Sequence, residues 1–426
     1  MKDALIDFLK NSPTAYHACE NVANVLEERG FTRLSETEDW ALCENGKYYV
    51  IRDGSSLVAF TVGNLDDFSY KLAVSHTDSP ALKLKENPIV KSNGCAMLNV
   101  EKYGGGIWYS FFDRPLQIAG RVIRNSGGML RAENVSSPFL VNIPSVAIHQ
   151  NREVNDKFAV NAQVDLMPLC AHAGESFDAE YALKKIVGEN ALSFDLFLTC
   201  AEHPYTFGIE NEFLAAPRID NLVSVYASLQ ALLSSSESNG ICVFACLDNE
   251  EVGSLSAQGA DGDFLENTLR RIAYSFHFDD NEYYKAIRSS FMLSIDNAHA
   301  VHPNHPEKSD PTNKTLLGGG IVIKSNAGNS YVTNALSSAV VKTIFENSGV
   351  PYQTFFNRSD ARSGSTLGSI VLRHVSMTSA DIGLAQLAMH SANECIALKD
   401  VEALISGISA YYASTLCFTN DGVCVE

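Results

Sequence analysis

The stretch ICVFACLDNEEVGS, Ile241 to Ser254, runs seven apolar residues straight into a row of acidic and amide side chains. An apolar run of this length that ends in polar punctuation reads as a buried strand. Asp248, Asn249, Glu250 and Glu251 then fall at its carboxyl end, the edge at which open α/β sheets bind their ligands. Three other apolar runs are followed in the same way. LAV at 72–74 leads into SHTDSP, FMLSI at 291–295 leads into DNAHAVHPNH, and SIVLRHVSM at 369–377 precedes LAQLAMHSANE. Helical patterns lie between these runs. After Asp220, the residues Leu222, Val223, Tyr226, Leu229, Leu232 and Leu233 keep the i, i+3, i+4, i+7 spacing of one buried helical face. Strands alternating with helices predict the α/β class, with a mixed, largely parallel sheet flanked by helices.

Residues 93–204 break this alternation. VEKYGGGIWYSFFDRPLQIAGRVIRNSGGMLRAENV, from Val100, has Gly-rich turns, short strands and little helical periodicity, so the segment reads as an inserted β-rich domain. The α/β domain is then expected in two pieces, 1–92 and 205–426. A chain of 426 residues has room for both domains, because single cores stop growing at about 250–300 residues. MKDALIDFLKNSPTAYHACENVANVLEERGF, at the start of the chain, reads as two amphipathic helices broken at Ser12-Pro13. It lacks the apolar core of a signal peptide. LLSSSESNG at 232–240 is expected to be a loop.

Hydrophobic residues at 46% and charged residues at 19% are the composition of a folded rather than a disordered chain. With 32 Lys and Arg against 50 Asp and Glu, the formal charge is −18, which argues against nucleic acid or an anionic membrane as partner. No apolar run reaches the roughly 20 residues that cross a bilayer, so a soluble, cytoplasmic protein is expected. The ten cysteines are scattered without a CxxC pair. Cys242 and Cys246 would lie roughly 13 Å apart along a strand, and the set reads as reduced thiols.

Potential metal ligands collect at the predicted strand ends: His76 and Asp78, Asp220 at a helix start, Glu250 and Glu251, Asp296, and His390. Taken singly, each has an ordinary reading as a helix cap, a packed histidine or a solvated turn. Together they place oxygen and nitrogen donors on one edge, and CLDNEEVGS has no Lys or Arg to neutralise its carboxylates. A pair of divalent ions would supply that charge. Two metals about 3.5–4 Å apart can share a carboxylate and a water, and two His with three carboxylates leave positions open for water and substrate. In His76-Thr77-Asp78, His76 is expected to ligate while Asp78 fixes its ring. Adjacent Glu250 and Glu251 point in different directions, so one can ligate while its neighbour faces the water.

The segments SHTDSPALKLK, RIDNL, DNEEVGSLSAQGA, DNAHAVHPNH and AQLAMHSANE, in this order, resemble the M18 metallopeptidases, the aspartyl aminopeptidase family. The resemblance extends over nearly the whole chain, including IPSVAIHQNREVN in the inserted segment. It implies a zinc-peptidase-like catalytic domain with two divalent ions per subunit, zinc first and Mn2+ or Co2+ as alternatives. Asp220 would bridge the ions, with His76 and Asp296 on one and Glu251 and His390 on the other. Glu250 would be the general base on a metal-bridged water, passing its proton to the leaving amine. The implied reaction is removal of the N-terminal residue, preferably Asp or Glu, from peptides with a free N-terminus. The resemblance further implies that His149 helps bind substrate across a subunit interface and that Lys324 meets an acidic first side chain. It also implies a homo-oligomer, with dimers joined through the inserted domain and assembling to a dodecamer. SNAGNSYVTN and NRSDARSGSTLG depart from the family outline in small residues, and these departures bear on the acidic preference.

Two other functions compete with this reading. One is a dizinc aminopeptidase of neutral or broad specificity, and the other is an inactive assembly or binding protein that keeps the shell without the chemistry. The complete ligand set and Glu250 oppose the second. A serine hydrolase is disfavoured because RSGSTLG lacks the GxSxG spacing. Pro303 prevents a regular helical ligand pair from His302 and His305.

Overall fold

The computed structural model describes residues 1–66, 68–235, 239–361 and 363–426. Helices α1 (Lys2–Asn11) and α2 (Ala15–Glu28) flank the Ser12-Pro13 break, as expected. Strands β1 (Thr32–Arg33), β2 (Lys47–Arg52), β3 (Ser56–Val62) and β4 (Tyr70–His76) follow. The chain then builds a second sheet from β5 (Ala81–Ser92), β6 (Cys95–Tyr103), β7 (Leu116–Ser126), β8 (Met129–Val141), β9 (Leu169–His172) and β10 (Ala191–Cys200). Helices α3 (Ala162–Asp165) and α4 (Ala179–Val187) lie within this segment.

Past it come β11 (Tyr205–Phe207), β12 (Phe213–Ala216), α5 (Ile219–Ser234), β13 (Ile241–Leu247), α6 (Phe264–Ser275), α7 (Asp280–Arg288), β14 (Phe291–Ile295) and β15 (Ala298–His299). The rest of the chain forms β16 (Ile321–Lys324), α8 (Ala335–Asn347), β17 (Tyr352–Phe355), α9 (Leu367–Val371), β18 (Thr378–Gly383), β19 (Ala385–Leu387), β20 (Glu394–Ala397), α10 (Leu398–Ala413), β21 (Leu416–Phe418) and β22 (Val423–Val425).

The main sheet has nine strands in the order β1-β2-β3-β13-β4-β14-β18-β16-β17. Its centre, β13-β4-β14-β18, is parallel throughout, and antiparallel pairs at β2-β3, β3-β13 and β16-β18 make the sheet mixed. β13 shows why ICVFACL reads as continuously apolar. Cys242, Phe244 and Cys246 enter one core with residues of α1, α2, α5, α8 and α10. Ile241, Val243, Ala245 and Leu247 enter the other, with residues of α6, α7 and α9. Helices on both faces leave no position for a polar side chain. Among the described residues, no helix is long and apolar enough to cross a membrane.

One expectation needs correction. The strand expected at 369–377 is instead α9 followed by a turn, and the strand begins at Thr378. Leu367, Val371 and Val375 are buried at helical spacing, whereas the true strand carries Ser379 and Asp381 in its buried centre and so escaped an apolar search. β5, which lies before the expected boundary at 92/93, pairs with β6 and β10 in the six-stranded sheet. Of the Ser-rich loop expected at 232–240, residues 236–238 lie outside the described residues.

Candidate metal centre

The parallel register aligns the carboxyl ends of the central strands, with Leu247 of β13 opposite His76 of β4. His76 ends β4, and Asp296 follows β14 directly. Glu250 and Glu251 form a short 3-10 turn after β13, entered through Asn249 at φ 65°, a left-handed conformation that Asn tolerates better than most residues. Asp220 and Asn221 precede the regular part of α5 with non-helical backbone angles. His390 sits between β19 and β20, also left-handed at φ 65°, and its N–H donates to Glu394 Oε1 at 2.6 Å.

These elements bring His76, Asp220, Glu250, Glu251, Asp296 and His390 together in overlapping groups whose donor atoms lie within 4.8 Å of one another. His76 Nε2 is 3.5 Å from Asp220 Oδ1 and 3.7 Å from Asp296 Oδ1. His390 Nε2 is 3.3 Å from Asp220 Oδ2 and 3.4 Å from Glu251 Oε1. The two oxygens of Asp220 therefore face two different histidines. Two ligands held at roughly 2.0–2.1 Å by one tetrahedral ion stand about 3.3–3.4 Å apart, close to the spacings found.

Three further features fit cations. His76 Nδ1 lies 3.1 Å from the Asp78 carbonyl and His390 Nδ1 lies 3.0 Å from the Gly105 carbonyl. Because a carbonyl can only accept, each Nδ1 donates, so Nε2 is the nitrogen that would offer a lone pair to a metal once its own proton is displaced. Asp220 Oδ1 and Glu251 Oε1 are buried without a hydrogen-bond partner, an arrangement that is costly unless an ion satisfies them. The carboxylates also crowd one another. Burial pushes Glu250 up to about 8, with His76 opposing and Asp296, Asp78 and Asp220 reinforcing the shift. Burial opposes charge on His390, but Asp220 and Glu251 outweigh it and push the imidazole up to about 10. The protein alone thus draws positive charge into the cluster.

Asp78 does more than face His76. Its carboxylate is 3.4 Å from His76 Nδ1, and it also accepts the backbone N–H groups of Glu250 and Glu251, both at 3.1 Å. Lys324 is fully buried, with Nζ 3.3 Å from Asp296 Oδ2 and 3.2 Å from the Asn297 carbonyl. It is therefore not an ordinary exposed strand lysine. His149 is exposed on the connection after β8 and does not join the cluster within this chain. Asp248, the first acid of the row after β13, is not part of the ligand groups. It is buried, accepts the Asn249 N–H at 2.7 Å, and is pushed up to about 7 by burial and then by Asp78.

The sequence reading passed over two residues. Glu394 accepts the N–H of Asp220 at 2.9 Å as well as that of His390, tying the two loops together. Tyr103, at the end of β6, donates to Asp78 Oδ2 at 2.8 Å. A sequence signal for Tyr103 exists in the three glycines after it, which let backbone approach closely.

Comparison with known proteins gives the family. The family described as aminopeptidase I zinc metalloprotease (M18) matches residues 8–412. The chain belongs to the M18 peptidases. It is accordingly a metal-dependent aminopeptidase, a hydrolase of the exopeptidase type. A Clostridium acetobutylicum protein named probable M18 family aminopeptidase 2 is 44% identical over 404 residues, covering 92% of this chain and 93% of its own. Among solved structures, one from a cryo-EM study of the Ape4 and Nbr1 complex superposes with a TM-score of 0.92 at 33% identity, covering 96% of this chain and 85% of that one. The S. cerevisiae mApe1 dodecamer superposes with a TM-score of 0.81 at 26% identity, covering 96% and 95%.

Proposed function

We propose that this M18 peptidase is a dinuclear enzyme that removes the N-terminal residue, preferably Asp or Glu, from peptides with a free amino terminus. The observation that supports it most is the division of the Asp220 carboxylate, with Oδ1 toward His76 and Oδ2 toward His390. In this reading two divalent ions, zinc on the family's description, with Mn2+ or Co2+ as substitutes, would be held with Asp220 shared between them. His76 and Asp296 would hold one, and Glu251 and His390 the other. When bound, the ions polarise the scissile carbonyl and make water nucleophilic at neutral pH. Glu250 takes the proton of the attacking water and delivers it to the leaving amine. The substrate's amino terminus docks against the surrounding carboxylates, which limits cleavage to the first residue. Elemental analysis of the purified protein tests the dinuclear reading. Two equivalents of metal per chain are expected, and saturation at one would overturn it.

The acidic preference assigns Lys324 to the first side chain of the peptide. A broad-specificity reading draws on a different fact, since Lys324 already spends its charge on Asp296. Lys324→Met separates the two. Weaker support for Asp296 lowers turnover of all peptides alike, whereas loss of a direct contact lowers kcat/KM on Asp- and Glu-peptides selectively. We expect a selective loss of roughly 10–100-fold relative to Leu- and Ala-peptides, the range for a hydrogen bond to a charged group. An unchanged Asp/Leu ratio would end the assignment of Lys324.

The segment from β5 to β10 serves in this reading as a dimerisation and substrate domain, with the α/β domain in two pieces around it. β8 is an edge strand of its sheet with many exposed positions, an edge open to pairing. His149 then acts on substrate across a subunit interface, in dimers assembling toward a dodecamer like that of S. cerevisiae mApe1.

A further inference from the structure

The chain reaches Tyr103 at the end of β6 and continues through three glycines, Gly104, Gly105 and Gly106, to Ile107. This loop belongs to the six-stranded sheet, yet it lies against three groups of the metal centre at once. The Tyr103 hydroxyl donates to Asp78 Oδ2 at 2.8 Å and accepts from Asn249 Nδ2 at 2.9 Å. Asn249 is itself oriented, because its Oδ1 accepts from Ser256 Oγ at 2.7 Å and Gln258 Nε2 at 3.0 Å. A Cβ on Gly104 would stand 3.1 Å from Glu251 Cβ and 3.3 Å from its Oε2, and φ there is +73°. Only glycine fits that position without strain. The Gly105 carbonyl accepts from His390 Nδ1, and the Ile107 N–H donates to the His390 carbonyl at 2.8 Å.

We infer that Tyr103 is a positioning residue for the aminopeptidase reaction, acting through Asp78 to fix the turn that carries Glu250 and Glu251. The inference rests on the assignment of Glu250 and the metal ligands above. Its physical basis is a chain of contacts with little slack. Asp78 has two oxygens, one accepting from the Glu250 N–H and the other from the Glu251 N–H and the Tyr103 hydroxyl. A carboxylate held by three donors cannot rotate without breaking one of them, so the two glutamates keep their backbone positions relative to β6. Groups that orient the residues of a metal site change rate or affinity by about 10–100-fold when removed. The six-stranded sheet thereby becomes part of the active-site geometry within a single subunit, in addition to any role in assembly.

Tyr103→Phe tests this. The ring keeps its edge-on packing against Phe197, 5.3 Å between centroids, while the hydroxyl is lost. Steady-state kinetics on the metal-loaded protein should show kcat down about tenfold with KM changed by no more than about twofold. Asp78→Asn should lower kcat at least as far, and the double variant should be no slower than Asp78→Asn alone, because both changes break one chain. Tyr16→Phe is the control. Tyr16 lines the same cavity behind Asp78 but bonds Asp195 at 3.4 Å, and its loss should leave kcat unchanged. Wild-type kcat in Tyr103→Phe, losses that multiply in the double variant, or an equal loss in Tyr16→Phe would each overturn the role of Tyr103. Should Tyr103→Phe fail to fold, Gly104→Ala reads the same loop from its contact with Glu251. A kcat like that of wild type there would count against the inference. Activity of Glu250→Gln separates the two levels, since a fully active variant would sink the assignment of Glu250 rather than the role of Tyr103.

Discussion

Glu250→Gln should retain the metal content of the wild-type enzyme and lose roughly 10²–10⁴-fold in kcat, the usual contribution of a general base. The substitution keeps shape and volume, and the Glu250 backbone N–H remains on Asp78, so the turn after β13 has no reason to move. What disappears is the ability to accept a proton. In the protein alone, burial and the neighbouring carboxylates push Glu250 up to about 8, near the range in which a base and its conjugate acid both operate. An amide has neither form. A tenfold change in rate is about 1.4 kcal/mol of barrier, so the expected loss corresponds to about 3–5 kcal/mol. Metal analysis beside the kinetics makes the result decisive. A metal-replete variant with near wild-type kcat would remove Glu250 from the mechanism.

The crowded stretch after β13 resolves into different tasks that the sequence only partly displays. β13 was legible because both its faces are covered, which makes every residue apolar. β18 was not, because Asp381 in its centre is satisfied by partners elsewhere in the chain. Thr366 Oγ1 donates to it at 2.8 Å, as does the Val332 N–H at 2.5 Å. A buried polar residue paid for by tertiary hydrogen bonds looks like a loop residue in a linear reading. The same logic divides the site. His76, Glu250, Glu251 and Asp296 follow strands directly, so their position could be read from strand ends. Tyr103 and Glu394 act across 146 and 174 residues of sequence, on Asn249 and Asp220 respectively; the glycines after Tyr103 mark a close approach but not its partner, and nothing local marks Glu394. Asp78 was read as a partner of His76 alone because the spacing between them is local, while its bonds to Glu250 and Glu251 are not.

Asp220→Ala should reduce both bound metal and rate, the latter at least as far as Glu250→Gln. Asp220 is buried, and its two oxygens face His76 and His390, so in the proposed dinuclear site one substitution would take a ligand from each ion. Burial works against its charge, yet the two histidines hold it below the ordinary carboxylate range, a carboxylate kept ionised for a positive neighbour. Anything that binds the folded state alone stabilises it by mass action, about 4 kcal/mol when the ligand is present at a thousand times its Kd. Chelation should therefore lower the Tm of the wild-type enzyme, and that shift should shrink sharply in Asp220→Ala because little metal remains to remove. This readout does not depend on turnover. A loss of rate with two metals still bound and the full chelator-induced shift would mean that Asp220 serves the chemistry without bridging. Loss of a single equivalent would place it on one ion only. Loss of both, with the chelator shift abolished, is the result expected if Asp220 serves both ions, as its two oxygens toward His76 and His390 suggest.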